Sequence, residues 1–285
     1  MVFIFNKRCS VYLSAESGLR SCLLSSSNNE LQCGSTYNSD SLLHPGGLAL
    51  SPDGQTAYVI DDSEAPGVTV CPISNGSFSC SSMTGINLYN PKAIAVSPDG
   101  LYAYITDAAS GNVTICTING SSLTCGQQKG GFNQPWGIAL SPDGKSAFIT
   151  DSSAISYTSC SVSGSTLDTC MMKPLITTDV NQQGEPQGIA LSPDGKTAFI
   201  AMSQGNAGIN VCNVTDTTIF CTSPAVNPDC LFTNPQYVAL TKDGSKLAVT
   251  TSNGNGTVVV CDVNNQAIDN CNANQITWPQ GVAAF

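Results

Sequence analysis

The 285-residue chain carries 20 acidic against 10 basic side chains and a single histidine, a formal charge of −10. Only 11% of its residues are charged and 41% are hydrophobic, which fits a packed globular chain and not charge-driven disorder. The acidic balance excludes nucleic acid and anionic membrane as expected partners, because both select clustered Lys and Arg, and no apolar run approaches the roughly 18 residues that membrane insertion needs.

In chain order, the opening MVFIFNKRC has an apolar stretch only four residues long (2–5), far short of a signal-peptide core, so a mature form or an excised domain is expected. Three strand-like runs follow: VFIF (2–5), CSVYL (9–13) and GLRSC (18–22). A phrase then recurs: PGGLALSPDG (45–54), PKAIAVSPDG (91–100), PWGIALSPDG (135–144), PQGIALSPDG (186–195) and PQYVALTKDG (235–244), with a truncated sixth copy, PQGVAAF (279–285). The opening prolines recur at intervals of 46, 44, 51, 49 and 44 residues. Such a period suits propeller blades or helical solenoids. The β-branched and aromatic runs inside each unit, such as TAYVI (56–60) and VTIC (113–116), and the lack of a 3.6-residue period, decide for strands.

Four strands are placed in each unit. The small residues of the GIAL run suit the crowded innermost position, and SPDG turns the chain into the second strand. The third strand ends at a cysteine, and the outermost carries another nine or ten residues later. Counting outward from the Asn75-Gly76 hairpin sets Cys71 opposite Cys80, and the same count about Gly120-Ser121 sets Cys116 opposite Cys125. Extending the scheme pairs Cys9 with Cys22, Cys160 with Cys170, Cys212 with Cys221 and Cys261 with Cys271, one staple per blade, with Cys33 and Cys230 left over. Zinc sites use CxxC-like clusters or histidines, which this chain lacks, so disulfides and an oxidising compartment are expected. The expected location is extracellular or the cell surface, with the periplasm as an alternative.

The predicted fold is therefore an all-β, six-bladed β-propeller of four-stranded antiparallel blades, a single domain over 1–285. Its blades fall at 45–90, 91–134, 135–185, 186–234 and 235–278, and the sixth joins 279–285 to 1–44, with 2–5, 9–13 and 18–22 as its second, third and outer strands. Closing the ring in this way leaves no free sheet edge within it.

The units AVSPDGLYAYITDAASGNVTICTI (95–118) and ALSPDGKTAFIAMSQGNAGINVCNV (190–214) resemble the YVTN family of bacterial propeller repeats. The resemblance implies a propeller in secreted or surface-layer settings and, in some relatives, sugar-lactone hydrolysis. Paired cysteines are an addition that the basic repeat does not require.

Residues flanking the phrase-opening prolines would ring the channel mouth: His44, Asn90, Gln134, Glu185, Asn234 and Trp278 before them, Lys92, Trp136, Gln187, Gln236 and Gln280 after, and Tyr237 one step further. These positions depart from a repeat that otherwise hardly varies, which marks them as a ligand site. Aromatic rings with amides suit a carbohydrate or peptide; the alternative is that Trp136 and Trp278 plug the channel or pack between blades. Asp61, Asp107 and Asp151, after the second strands, suit loop N–H groups better than a cation, and Asp53, Asp99, Asp143, Asp194 and Asp243 are turn residues. No metal or other cofactor is expected. Histidine-based catalysis would have to run through His44, with Glu185 reaching across the mouth; an acid–base pair without histidine stays open, and the chain is expected not to be an enzyme.

The expected function is recognition of a carbohydrate or protein at the mouth. The alternatives are a structural subunit of a surface layer or fibre that binds copies of itself and, last, a sugar-lactone hydrolase. Cys33 and Cys230 are expected in loops on one face. They would pair within the chain or link neighbouring chains; a rearranged Cys221–Cys230 bridge is the third arrangement.

Overall fold

A computed structural model describes residues 10–15, 18–25, 27–40, 42–63, 65–83, 85–177, 184–204, 208–222, 230, 232–252, 256–264 and 266–285. The strands form six sheets, each built from four successive antiparallel strand positions, and Ile176–Thr177 adds a short parallel pair to the outer strand Thr218–Thr222 of one of them. The innermost strands are Pro45–Leu50, Pro91–Val96, Pro135–Leu140, Glu185–Leu191, Pro235–Leu240 and Pro279–Ala284. Each touches the next, and the last touches the first, so they close a ring around a central axis. The fold is a six-bladed β-propeller.

Close approach at the axis explains the small residues of the repeated phrase. A Cβ on Gly47 would press on the Lys92 carbonyl of the next blade, one on Gly137 on the Gln187 carbonyl, and one on Gly281 on the Gly46 carbonyl. Hydroxyls on the second strands tie the blades at the same level. Ser14 Oγ donates to the Gly46 carbonyl (2.6 Å), Thr106 Oγ1 to that of Trp136 (2.6 Å) and Thr150 Oγ1 to that of Gln187 (2.5 Å). Further out, Tyr104 is fully buried and its hydroxyl donates to the Gly164 carbonyl of the neighbouring blade (2.6 Å). Burial pushes its phenol up to about 12, so the donor keeps its proton.

The opposite face is closed by the repeated turns. Glycines 54, 100, 144, 195 and 244 all have φ near +70°, a conformation that an L side chain rarely adopts. Gly100, Gly144, Gly195 and Gly244 lie against Pro52, Pro98, Pro142 and Pro193 of the preceding blades. Around the same circle Gly54 packs on the Phe285 ring, over which Lys242 Nζ sits 4.4 Å from the centroid.

In the closing blade the strands are shifted from the predicted ones. Pro279–Ala284 pairs with Ser10–Ala15, which pairs with Gly18–Leu24, which in turn pairs with Leu31–Cys33 and Tyr37–Asn38. Ser10–Ala15 is thus the second strand, with the same burial pattern as Thr56–Asp61, Tyr102–Asp107 and Ser146–Asp151. The predicted strand at 2–5 lies outside the described residues.

That shift corrects the cysteine pairing. Cys22 stands on the third strand directly opposite Cys33 on the outermost, and the two form the staple; Cys33 is not left over, and Cys22 does not pair with Cys9, which lies outside the described residues. The predicted staples Cys71–Cys80, Cys116–Cys125, Cys160–Cys170 and Cys212–Cys221 are present. The rearranged Cys221–Cys230 bridge and the Cys33–Cys230 pair are not formed. Cys261 does meet Cys271, but Cys230 reaches Cys271 as well. Cys22, Cys71, Cys116, Cys160, Cys212 and Cys261 are all essentially buried, so each staple anchors an outer strand to a core position.

Candidate functional site

The residue after each opening proline heads an innermost strand at the mouth of the channel. Lys92, Trp136, Gln236 and Gln280 line a cavity of about 470 Å³ there, together with His44, Pro45, Gly46, Asp62, Tyr237 and Trp278. Five of the six blades contribute.

Tyr237 forms the floor. It occupies the strand position at which other blades carry Gly47, Ala93, Gly137, Gly188 and Gly281, so a full aromatic ring enters the axis where the repeat leaves space. Its ring lies 4.8 Å from that of Trp136, tilted by 47°, and its hydroxyl crosses the channel to donate to the Lys92 carbonyl (2.8 Å). That carbonyl needs such a donor, because the second strand of the preceding blade has Ile60 where others have Ser14, Thr106 or Thr150. Burial and then the charge of Asp62 push the Tyr237 phenol far above its ordinary range. Trp136 is therefore partly a packing residue, whereas Trp278, at φ +49° and 48% exposed, stands open to solvent.

The charges in the cavity are sparse and placed together. Lys92 Nζ lies 4.0 Å from Asp62 Oδ2, both partly exposed. Asp62 was missed by sequence reasoning, although a signal existed: the matching positions are Ala108, Ser152, Ser203 and Ser252, all small and uncharged.

Five predicted rim residues fall outside the cavity. Asn234 Nδ2 donates to Ser252 Oγ (2.5 Å), Gln134 Oε1 accepts from Ser152 Oγ (3.4 Å), and Glu185 Oε2 accepts from Gln204 Nε2 (3.0 Å). Asn90 is tied through its backbone to Asp107 (3.0 Å), and Gln187 is buried between blades. Glu185 and His44 are therefore not brought together in the cavity. The buried carboxylates Asp61, Asp107 and Asp151 are taken up by loop N–H groups: Asp107 accepts from Tyr89 (2.7 Å), Asn90 (3.0 Å) and Ser110 (3.2 Å). Asp61 does the same for Leu43 and Ser63, and Asp151 for Gln134 and Ser153.

No family model matches the chain, and no curated protein matches it. Solved structures do. A Bacteroides uniformis protein assigned provisionally as a 6-phosphogluconolactonase superposes with a TM-score of 0.71 at 14% identity, over 98% of this chain and 100% of that one. The periplasmic gluconolactonase of Pseudomonas aeruginosa gives 0.66 at 17% identity, over 99% and 86%. A chain of the nidogen/laminin complex gives 0.68 at 14% identity, over 97% and 98%. At these identities the likeness is one of fold. It nevertheless corrects the expectation that the chain is not an enzyme: propellers matching nearly its whole length carry lactonase names, so the architecture gives no ground for excluding hydrolysis.

Proposed function

We propose that the channel-mouth cavity binds a sugar or a sugar lactone. The observation that carries this reading is the convergence of Trp278, Gln236, Gln280 and the Lys92–Asp62 pair on one cavity of about 470 Å³ above the Tyr237 floor. The volume suits a small molecule. The indole of Trp278 offers an apolar face to a pyranose ring, and the amides, ammonium and carboxylate offer donors and acceptors to its hydroxyls.

Ring opening of the lactone is the second reading, favoured by His44, Asp62 and Lys92 lining the same cavity. An imidazole or carboxylate would take a proton from a water that attacks the lactone carbonyl carbon. The Lys92 ammonium would stabilise the oxyanion, and cleavage of the ring C–O bond with return of the proton to the leaving alkoxide would give the hydroxy acid. Capture of a protein at the mouth is the reading that the nidogen/laminin likeness supports. The staples support an extracellular or periplasmic setting, and the repeated phrases support a YVTN-type repeat.

The test is calorimetric titration with D-gluconate, together with pH-stat measurement of D-glucono-1,5-lactone hydrolysis. Saturable gluconate binding that is lost in Lys92→Met supports the site, and acid release above the spontaneous rate, lost in the same variant, adds the hydrolase reading. Neither binding nor turnover by a folded protein refutes both.

A further inference from the structure

The place of Asp62 is set by the backbone and not by its side chain. Its N–H donates to the His44 carbonyl (3.0 Å), and the same bond recurs in other blades from Ala108 to Asn90 (3.0 Å), Ser152 to Gln134 (3.1 Å) and Ser252 to Asn234 (3.2 Å). Serines at this position turn back on the scaffold: Ser152 Oγ donates to the Gln134 carbonyl and Ser252 Oγ to that of Asn234, each at 3.4 Å. The propeller therefore has no need of a carboxylate at 62, and the one it carries faces the cavity. Lys92, at the head of the next innermost strand, is the only ammonium or guanidinium among the described residues that line the same cavity. It stands 4.0 Å from Asp62 Oδ2, beyond hydrogen-bond reach, so its charge is offset while its N–H donors are not spent on the pair. The Asp62 charge also reaches the floor, where it adds to burial in pushing the Tyr237 phenol upward.

We propose, on the reading of the mouth as a sugar site, that Asp62 selects against phosphorylated sugars and restricts the cavity to neutral sugars and sugar acids with a single carboxylate. One carboxylate on the ligand is met by Lys92. A phosphate ester brings close to two further negative charges at neutral pH, and no second ammonium or guanidinium among the described lining residues meets them. Repulsion between like charges across a cavity of this kind weakens binding roughly tenfold or more. Replacing Asp62 by serine removes that repulsion and leaves Lys92 without its counter-charge. It also puts at 62 the residue that the repeat uses at Ser152, Ser203 and Ser252, so the blade keeps its backbone.

The experiment is calorimetric titration of wild type, Asp62→Ser and Asp62→Asn with D-gluconate and with its 6-phosphate, at pH 8 and low ionic strength, with thermal melts to show that the variants are folded. Wild type should bind gluconate about tenfold or more tightly than the 6-phosphate. In Asp62→Ser that preference should shrink by about tenfold, because the 6-phosphate gains more than gluconate from loss of the carboxylate. Asp62→Asn, which keeps the side chain's shape, should shift the preference in the same direction and shows that charge and not volume is responsible. Equal wild-type affinity for the two compounds, or a preference unchanged in both variants, would overturn the role of Asp62 while leaving the sugar site standing. A folded wild type that binds neither compound would overturn the sugar reading, and this inference with it.

Discussion

Removing the Tyr237 hydroxyl tests how the channel is floored. In Tyr237→Phe the ring still packs on Trp136, but the bond to the Lys92 carbonyl is lost, and Ile60 offers no substitute. One neutral hydrogen bond to a part-buried acceptor contributes about 1 kcal/mol. An entropy of unfolding of roughly 2.1 cal/mol/K per residue gives about 0.6 kcal/mol/K for a chain of this size, so Tm should fall by about 2 °C. Tyr237→Ala also empties the axis, and at about 3–5 kcal/mol for a deleted core aromatic it should lower Tm by roughly 5–8 °C. Ile60→Thr, added to Tyr237→Phe, places a hydroxyl where Thr106 and Thr150 carry theirs and should recover most of the first loss. Differential scanning calorimetry of the four proteins, with tryptophan emission as a local reporter on Trp136, reads these differences. If Tyr237→Ala costs no more than Tyr237→Phe, the ring is not a plug and the reasoning fails.

Asp107→Ala strips the acceptor from three loop N–H groups, and denaturant unfolding should show a loss of about 3 kcal/mol; a change below about 1 kcal/mol would mean that water replaces the carboxylate. Replacing both Cys116 and Cys125 by serine opens a short loop, worth about 2–3 kcal/mol on the chain-entropy account, so Tm should drop by roughly 3–5 °C with the strand circular dichroism unchanged at 25 °C. Hydrogen bonds from Ser51, Ser97, Ser141, Ser192 and Thr241 hold the carboxyls of Asp53, Asp99, Asp143, Asp194 and Asp243 below the ordinary range. Their folded values lie below the unfolded one, so their contribution is present above about pH 4 and is lost as pH falls through the depressed values. Thermal melts in acid should show Ser97→Ala losing less stability than wild type over that window; parallel curves would remove these turns from the acid response.

The repeat made the propeller legible, because the same physical demands return in each blade: small residues where strands crowd the axis, Asp-Gly where the chain reverses, and cysteines in register about a two-residue turn. The closing blade was read one strand out of place for the same reason in reverse. It lacks the SPDG turn that marks where a second strand begins, so Cys9 offered itself as a partner for Cys22, although Ser10–Ala15 already carried the small-then-apolar order of Thr56–Asp61. At the mouth, Lys92, Trp136, Gln236 and Gln280 share one cavity with Trp278 and His44, since they head strands that converge on the axis, whereas Gln187, at the same position in its blade, is buried between blades. Asn90, Gln134, Glu185 and Asn234 were not separable from them by position alone. Their outward bonds depend on loop partners such as Ser152, Gln204 and Ser252 that sequence spacing does not assign. Cys230 could be counted but not placed, because the Asn227-Pro228-Asp229 turn signal before it is not flanked by a strand pair whose register would fix its partner.

The most direct test of the central claim is a crystal structure of the protein grown with saturating D-gluconate. The account predicts the sugar acid in the mouth cavity, its carbon chain against the Trp278 indole and its carboxylate toward Lys92. Gluconate bound only at another surface, or a cavity left empty at saturation, would contradict it.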